Sequence, residues 1–213
     1  MKINEIFYSI QGEGTQAGFP TVFLRLFACD LRCTWCDTMY AVEGRDFKDM
    51  EIQEILAEIY KYKCKRLCIT GGEPLIQYFE VEKLSHKLSE DGFFIVLETS
   101  GHKKPPDIFQ KDNFLISMDC KCPSSGMHKK MEFSLYEQLN KKDQLKFVIA
   151  DKEDYEYARM ILNKYSIKAS IIFQPVYGEN IEWLANAVLK DNLGNIRIIP
   201  QIHKVIWGNK RGV

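Results

Sequence analysis

The sequence has no net charge: 29 Lys and Arg residues balance 29 Asp and Glu residues. No surplus of either sign points to a nucleic acid or to a charged membrane surface as partner. Also missing is any apolar run of roughly 18 residues, the length a membrane-spanning helix needs. The opening Met1-Lys2-Ile3-Asn4-Glu5 has none of the apolar stretch of a signal peptide. These absences predict a soluble, cytoplasmic protein. No internal repeat, low-complexity tract or linker interrupts the 213 residues, a length that suits one domain over residues 1–213. An even set of cysteines is lacking too. There are seven, three of them crowded into one loop, which argues against a secreted disulfide framework.

That loop, Cys29-Asp30-Leu31-Arg32-Cys33-Thr34-Trp35-Cys36, puts three thiols into eight residues. Thiolates are soft ligands that select iron–sulfur clusters, zinc or copper(I). Structural zinc and ordinary electron-transfer clusters take four protein ligands. A compact set of three suggests a cubane cluster with one iron left open to a small molecule. Structural cysteines or a redox pair would leave the third cysteine and Trp35 unexplained. Cys68 sits in Arg66-Leu67-Cys68-Ile69-Thr70 and reads as a small buried hydrophobe. A second metal site from Cys64, Cys68, Cys120 and Cys122 is the looser alternative.

Apolar runs alternate with helical patterns along the chain. Strands are predicted at 3–10, 21–27, 66–70, 93–98, 114–119, 145–149, 169–173 and 196–199. Helices are predicted around Ile52–Ile59, within 79–90, over 154–165 and over 181–189. Strands apolar on both faces, separated by amphipathic helices, imply a parallel sheet with helical cover. About six such units are too few for a closed eight-fold barrel. The predicted fold is α/β, a partial, open (β/α) TIM-like barrel. The polar strand ends then converge on one rim: Cys29, Gly71-Gly72-Glu73-Pro74, Glu98-Thr99-Ser100, Asp119-Cys120-Lys121 and Gln174-Pro175.

Arg25 interrupts the apolar strand Val22-Phe23-Leu24-Arg25-Leu26-Phe27 and shares a face with Phe23 and Phe27. A guanidinium buried there needs a partner. The partner is either an internal carboxylate or the carboxylate of a substrate; a place in the pocket wall favours the substrate. Gly71-Gly72 reads as a strand-to-helix turn that also admits a ligand close to the backbone. Gln11 and Glu13, in Ser9-Ile10-Gln11-Gly12-Glu13-Gly14, pair an amide with a carboxylate, as the edge of a flat heterocycle would require. The glycines around them read as plain turn residues.

The cysteine loop, Gly71-Gly72-Glu73-Pro74 and the strand ends resemble the radical S-adenosylmethionine (SAM) superfamily. Ser-Ile-Gln-Gly-Glu-Gly before the loop, Cys36-Asp37-Thr38 closing it, Asp119-Cys120-Lys121-Cys122-Pro123 and the ending Trp207-Gly208-Asn209-Lys210-Arg211-Gly212-Val213 narrow this. Their joint order resembles the 7-carboxy-7-deazaguanine synthase family, lyases that convert 6-carboxy-5,6,7,8-tetrahydropterin to 7-carboxy-7-deazaguanine, with loss of ammonia, on the way to queuosine and archaeosine. The resemblance implies a 4Fe–4S cluster on Cys29, Cys33 and Cys36, with SAM on the open iron. Trp35, Cys36, Asp37, Gly72, Ser100, Asp119, Cys120, Lys121 and the run Gln174, Pro175, Val176, Tyr177 would line SAM. Ile10, Gln11, Gly12, Arg25, Thr70 and Val213, through its carboxylate, would contact substrate, and Thr38 would hold Mg2+. It further implies a homodimer and an electron donor such as flavodoxin or ferredoxin. Asp119-Cys120-Lys121 departs from the Ser-Pro-Lys form of some relatives. Two alternatives remain open at this point: an activating enzyme of glycyl-radical enzymes, and a non-catalytic metal-binding protein.

Overall fold

In the computed structural model, which describes residues 1–213, an antiparallel hairpin opens a largely parallel sheet. Strands β1 (Lys2–Ile10) and β2 (Pro20–Leu26) pair Glu5 with Arg25 and Phe7 with Phe23. The short β3 (Lys48–Asp49) joins the other edge of β1. From β2 the sheet continues in parallel through β4 (Arg66–Gly71), β5 (Phe94–Thr99), β6 (Phe114–Cys120), β7 (Gln144–Ile149), β8 (Ser170–Pro175) and β9 (Ile196–Ile198). The strand order is β3-β1-β2-β4-β5-β6-β7-β8-β9, and β3 and β9 do not pair with each other. The barrel is open, as the sequence predicts.

Helix α1 (Met39–Val42) follows the cysteine loop. Helices α2 (Ile52–Tyr60), α3 (Tyr78–Glu90), α4 (Lys152–Lys164) and α5 (Ile181–Lys190) pack on the outer face, and α6 (Ile202–Trp207) ends the series. In α2, Glu51 and Glu54 form a reciprocal capping box, and Ile55, Leu56 and Ile59 recur at helical spacing and are buried. Each such side chain contributes about 1.5–3 kcal/mol on burial. They join Leu24, Leu67, Ile69 and Leu97 of the sheet in one core between strands and helices.

Helical cover stops in the middle of the chain. The β5–β6 link carries a 3-10 turn at Asp107–Gln110, and the β6–β7 link carries three, at Pro123–Ser125, His128–Lys130 and Phe133–Gln138. Pro106 precedes the first of these turns and Pro123 opens the second. None of the helices is long and apolar enough to cross a membrane.

Candidate active site

Strand alternation sends every second side chain to the inner face of the curved sheet. Register arranges these side chains in layers. Phe23, Cys68, Val96 and Leu115 lie side by side on β2, β4, β5 and β6 and form an apolar floor. Two residues further along each strand come Arg25, Thr70, Glu98 and Ser117, then Asp119 on β6, level with Lys146 on β7. Above the floor is a cavity of about 550 Å³ with a polar wall. The residues facing it arrive from both halves of the chain, as parallel topology requires.

The cysteine loop forms the rim. Cys29, Cys33 and Cys36 are free, half-buried and all face the cavity, and no fourth cysteine does. Burial pushes the Cys29 and Cys33 thiols up from their ordinary range, and the other loop thiols and nearby carboxylates add to it. Only a strongly binding soft cation would then hold them as thiolates. The Leu31 amide donates to Cys29 Sγ at 3.4 Å. No three His, Cys, Asp or Glu side chains converge closely enough for a single metal ion. A cubane has no such requirement, because each of its thiolates sits on a different iron. The loop therefore fits a three-cysteine cluster better than mononuclear zinc.

Two brackets hold this loop. On one side the Thr34 amide donates to Ser125 O at 3.1 Å and Trp35 Nε1 to Ser124 Oγ at 3.0 Å. Ser124 is itself gripped by buried Asp154 at the start of α4, through its amide at 2.9 Å and its hydroxyl at 2.5 Å. On the other side is Glu73 of the Gly71-Gly72-Glu73-Pro74 turn, a fully buried carboxylate that accepts from the Leu75 and Ser100 amides and from the Thr99 and Ser100 hydroxyls. Ser100 Oγ lies 2.8 Å from His102 Nδ1, and His102 Nε2 lies 2.9 Å from Asp30 Oδ1 of the cysteine loop. Gly72 allows a close approach: a Cβ there would lie 2.2 Å from Ala28 O and 2.9 Å from Cys29 Cβ. The space that glycine leaves is therefore filled first by the cysteine loop.

A row of alternating charges crosses the cavity wall. Lys146 Nζ pairs with Glu13 and, at 3.3 Å, with Asp119 Oδ1; Asp119 Oδ2 takes Lys121 Nζ at 2.5 Å. Lys121 Nζ then sits 5.3 Å from the Trp35 ring centroid. Burial alone would raise Glu13, yet Lys146, His203 and the Gln201 amide hold it well below the usual carboxylate range. Burial likewise opposes charge on Lys146 and Lys121, but the facing carboxylates drive both upward, so both stay protonated. Glu98, pushed up by burial, accepts from Thr70 Oγ1 at 3.2 Å and Gln11 Nε2 at 3.3 Å.

Arg25 makes its one ion pair through Nε, to Glu5 Oε1 at 2.8 Å, and faces the cavity with no carboxylate on its terminal nitrogens. Internal pairing and a free donor fork coexist, so the two readings of this residue are not exclusive.

Most predicted site residues meet here. Trp35, Asp37, Thr38, Gly72, Ser100 and Lys121 line the cavity, as do Ile10, Gln11, Gly12, Thr70 and Val213. From β8 and its continuation come Gln174, Val176 and Tyr177. The side chains of Cys120 and Pro175 do not face it. Cys120 alternates with Asp119 and Lys121, so it points into the outer core, where burial pushes its thiol up to about 12. A second cysteine site does not form: Cys68 belongs to the floor, Cys120 and Cys122 to the outer core, and Cys64 Sγ donates to Pro20 O. Gly12 is more than a turn residue, since a Cβ there would lie 2.1 Å from His203 Nδ1. Sequence reasoning did not place Lys146, Gln201, His203, Lys204 or Asn209 at the site, although all five line it. For Lys146 a signal existed, a charge inside the apolar run Gln144–Ile149, all of it buried.

Residues 25–112 match the Radical SAM superfamily. The chain is 40% identical over 209 residues to the 7-carboxy-7-deazaguanine synthase of Methanospirillum hungatei, covering 97% of this chain and 85% of that one. It is 37% identical to the 7-carboxy-7-deazaguanine synthase of Thermoplasma acidophilum over the whole of both chains. Among solved structures, QueE from Escherichia coli superposes with a TM-score of 0.77 at 24% identity, covering 95% of this chain and 94% of that one, which supports the fold. End-to-end identity at this level, on a chain whose cavity carries the three-cysteine loop, makes the protein a member of the 7-carboxy-7-deazaguanine synthase family.

Proposed function

We propose that this protein is a radical SAM lyase that converts 6-carboxy-5,6,7,8-tetrahydropterin to 7-carboxy-7-deazaguanine with release of ammonia. The observation that carries the reading is one cavity holding both the three free thiols and the unoccupied donor fork of Arg25. Named relatives along the whole chain support the synthase over an activase or a non-catalytic metal protein.

Cys29, Cys33 and Cys36 are the residues that would hold the 4Fe–4S cluster. Held there in its reduced state with SAM, the cluster would supply the one electron that splits the sulfonium into methionine and a 5′-deoxyadenosyl radical. The chain's own task is to place and orient. The backbone of Trp35 to Asp37 and the residues Gly72, Ser100, Asp119, Lys121, Gln174, Val176 and Tyr177 form the SAM side. Gln174 Oε1 is buried there without a protein partner, and so suits a donor on a ligand. Beside Thr70, Arg25 would take the substrate carboxylate as a planar fork. Glu13, held ionised by Lys146, and Gln11 would read the amino-pyrimidinone edge, with Thr70 and Glu98 beside them. Fixing a flat substrate on both edges keeps the reacting carbon in place, which is a proximity effect.

Thr38 lines the cavity, and its hydroxyl is the oxygen donor that would hold Mg2+. The neighbouring Asp37 is tied to Lys204 at 3.2 Å. The protein would act as one domain, as a homodimer in the cytoplasm, with flavodoxin or ferredoxin as reductant. Anaerobic, cluster-loaded protein given reductant, SAM and the tetrahydropterin tests the activity. One ammonia per 7-carboxy-7-deazaguanine, with SAM not consumed, is expected; absence of the deazaguanine would remove the proposal.

A further inference from the structure

After α6 the chain from Gly208 to Val213 has no regular structure and flanks the cavity, which Asn209 and Val213 line. Apart from bonds to α6 itself, its hydrogen bonds to the rest of the protein all come from one side chain, Arg211. Arg211 gives Nη1 to Asp46 Oδ2 at 2.6 Å, Nη2 to Asn4 Oδ1 at 3.1 Å and Nε to Glu5 Oε2 at 3.2 Å. Its guanidinium lies 4.0 Å from the centroid of the Tyr40 ring. The second oxygen of Glu5 takes Arg25 Nε at 2.8 Å and the Tyr40 hydroxyl at 3.2 Å. One carboxylate thus joins the arginine of the tail to the arginine of the cavity.

The join has a geometric consequence. A guanidinium is planar, so fixing Nε against Glu5 also fixes where both terminal nitrogens point. The β1–β2 register already sets Glu5 opposite Arg25, and both side chains are only 15% exposed. A lone exposed ion pair would contribute little. Here Glu5 accepts from three donors in a largely buried place, where hydrogen bonds reinforce one another.

We propose that Glu5 and Arg211 are positioning residues of the substrate-carboxylate site, Glu5 setting the plane of Arg25 and Arg211 clipping Gly208–Val213 beside it. The inference rests on the reading of Arg25 as carboxylate receptor given above. Two measurements on cluster-loaded Arg211→Ala and Glu5→Gln proteins test it. In the first, binding of 6-carboxypterin, the unreactive oxidised analogue, is compared by fluorescence titration with binding of pterin lacking the carboxylate. Loss of charge-assisted hydrogen bonds should weaken 6-carboxypterin roughly tenfold in either variant, and pterin far less. Equal weakening of both ligands, or of neither, overturns the proposal. In the second, endoproteinase Lys-C should cut after Lys210 faster in Arg211→Ala than in the parent, and an unchanged rate overturns the clip. Should the parent itself bind both pterins alike, the carboxylate role of Arg25 falls, and the Lys-C comparison alone decides whether Arg211 holds the tail.

Discussion

Lys146 shows how a single buried charge organises a wall. Its ammonium faces Glu13 and Asp119, with Glu98 close by, and its side chain is 5% exposed. Removing it by Lys146→Met leaves Glu13 buried without its cation and Asp119 with Lys121 alone, which should cost about 3–5 kcal/mol of stability. Urea unfolding of both proteins measures this; a loss under 1 kcal/mol (the scale of an exposed pair) would mean that Lys146 is screened by solvent. Acid adds a second test. Glu13 lies below its ordinary value of 4.5 in the folded chain, at about 2, so the folded state binds its proton less readily than the unfolded one. The stability from this group is present above about pH 4.5 and is lost as pH falls toward about 2. Glu98, raised by burial, has the opposite sign and is relieved by protonation. Glu13→Gln should flatten the acid limb of a stability–pH curve, and an unaltered limb would count against the pairing with Lys146. Arg25 was legible in the sequence because a charge breaks an apolar strand. Lys146 carries the same mark, but a lysine within a strand is ordinarily read as a solvated or snorkelling side chain. His203 and Gln201 gave no local signal, since tertiary packing alone brings them against Gly12 and Glu13.

Among the elements, the parallel strands and the four helices that cover them could be read from their apolar patterns, which from β4 to β8 are almost wholly buried. Helix α1, strand β3 and helix α6 could not, because they show no apolar stripe: α1 buries only Ala41 and Val42, β3 exposes both its residues and α6 buries none. The glycine pair at the end of β4 was legible as a place of close approach, but not the partner. A ligand was the expected neighbour, whereas backbone of β2 and the cysteine loop comes first. Gly72→Ala should therefore push the loop outward. The expected outcome is a reconstituted protein with clearly less than four irons per chain and weaker cluster absorbance, while the outer core and far-ultraviolet circular dichroism stay as they were. Full iron content in this variant would show that the loop can yield without losing its geometry.

Across the whole molecule, an open sheet has two edges that must be held at a fixed distance for a shared cavity to keep its shape. Contacts across the interior do this: the Thr15 amide donates to Gln144 Oε1 at 2.7 Å, the Ile202 amide to Gly12 O at 2.9 Å, and Arg211 reaches β1. A ligand lying against walls from so many strands should stabilise them together. SAM at a hundred times its dissociation constant is expected to add about 2.7 kcal/mol to the cluster-loaded protein. For a chain of this size that is roughly 5–10 °C in Tm, measurable by anaerobic calorimetry; no shift would separate SAM from the cavity.

The apolar floor of Phe23, Cys68, Val96 and Leu115, backed by Phe7 and Phe94, has one more effect. It lies one layer below Arg25, Thr70, Glu98 and Ser117, so a flat ligand held by that polar layer rests against an apolar surface. The product is as flat as the substrate and carries the same carboxylate, so a product molecule that lingers there stands in the path of the next pterin. Accumulating 7-carboxy-7-deazaguanine should therefore inhibit in direct competition with the tetrahydropterin, which initial-rate plots at several product concentrations would show as a common intercept.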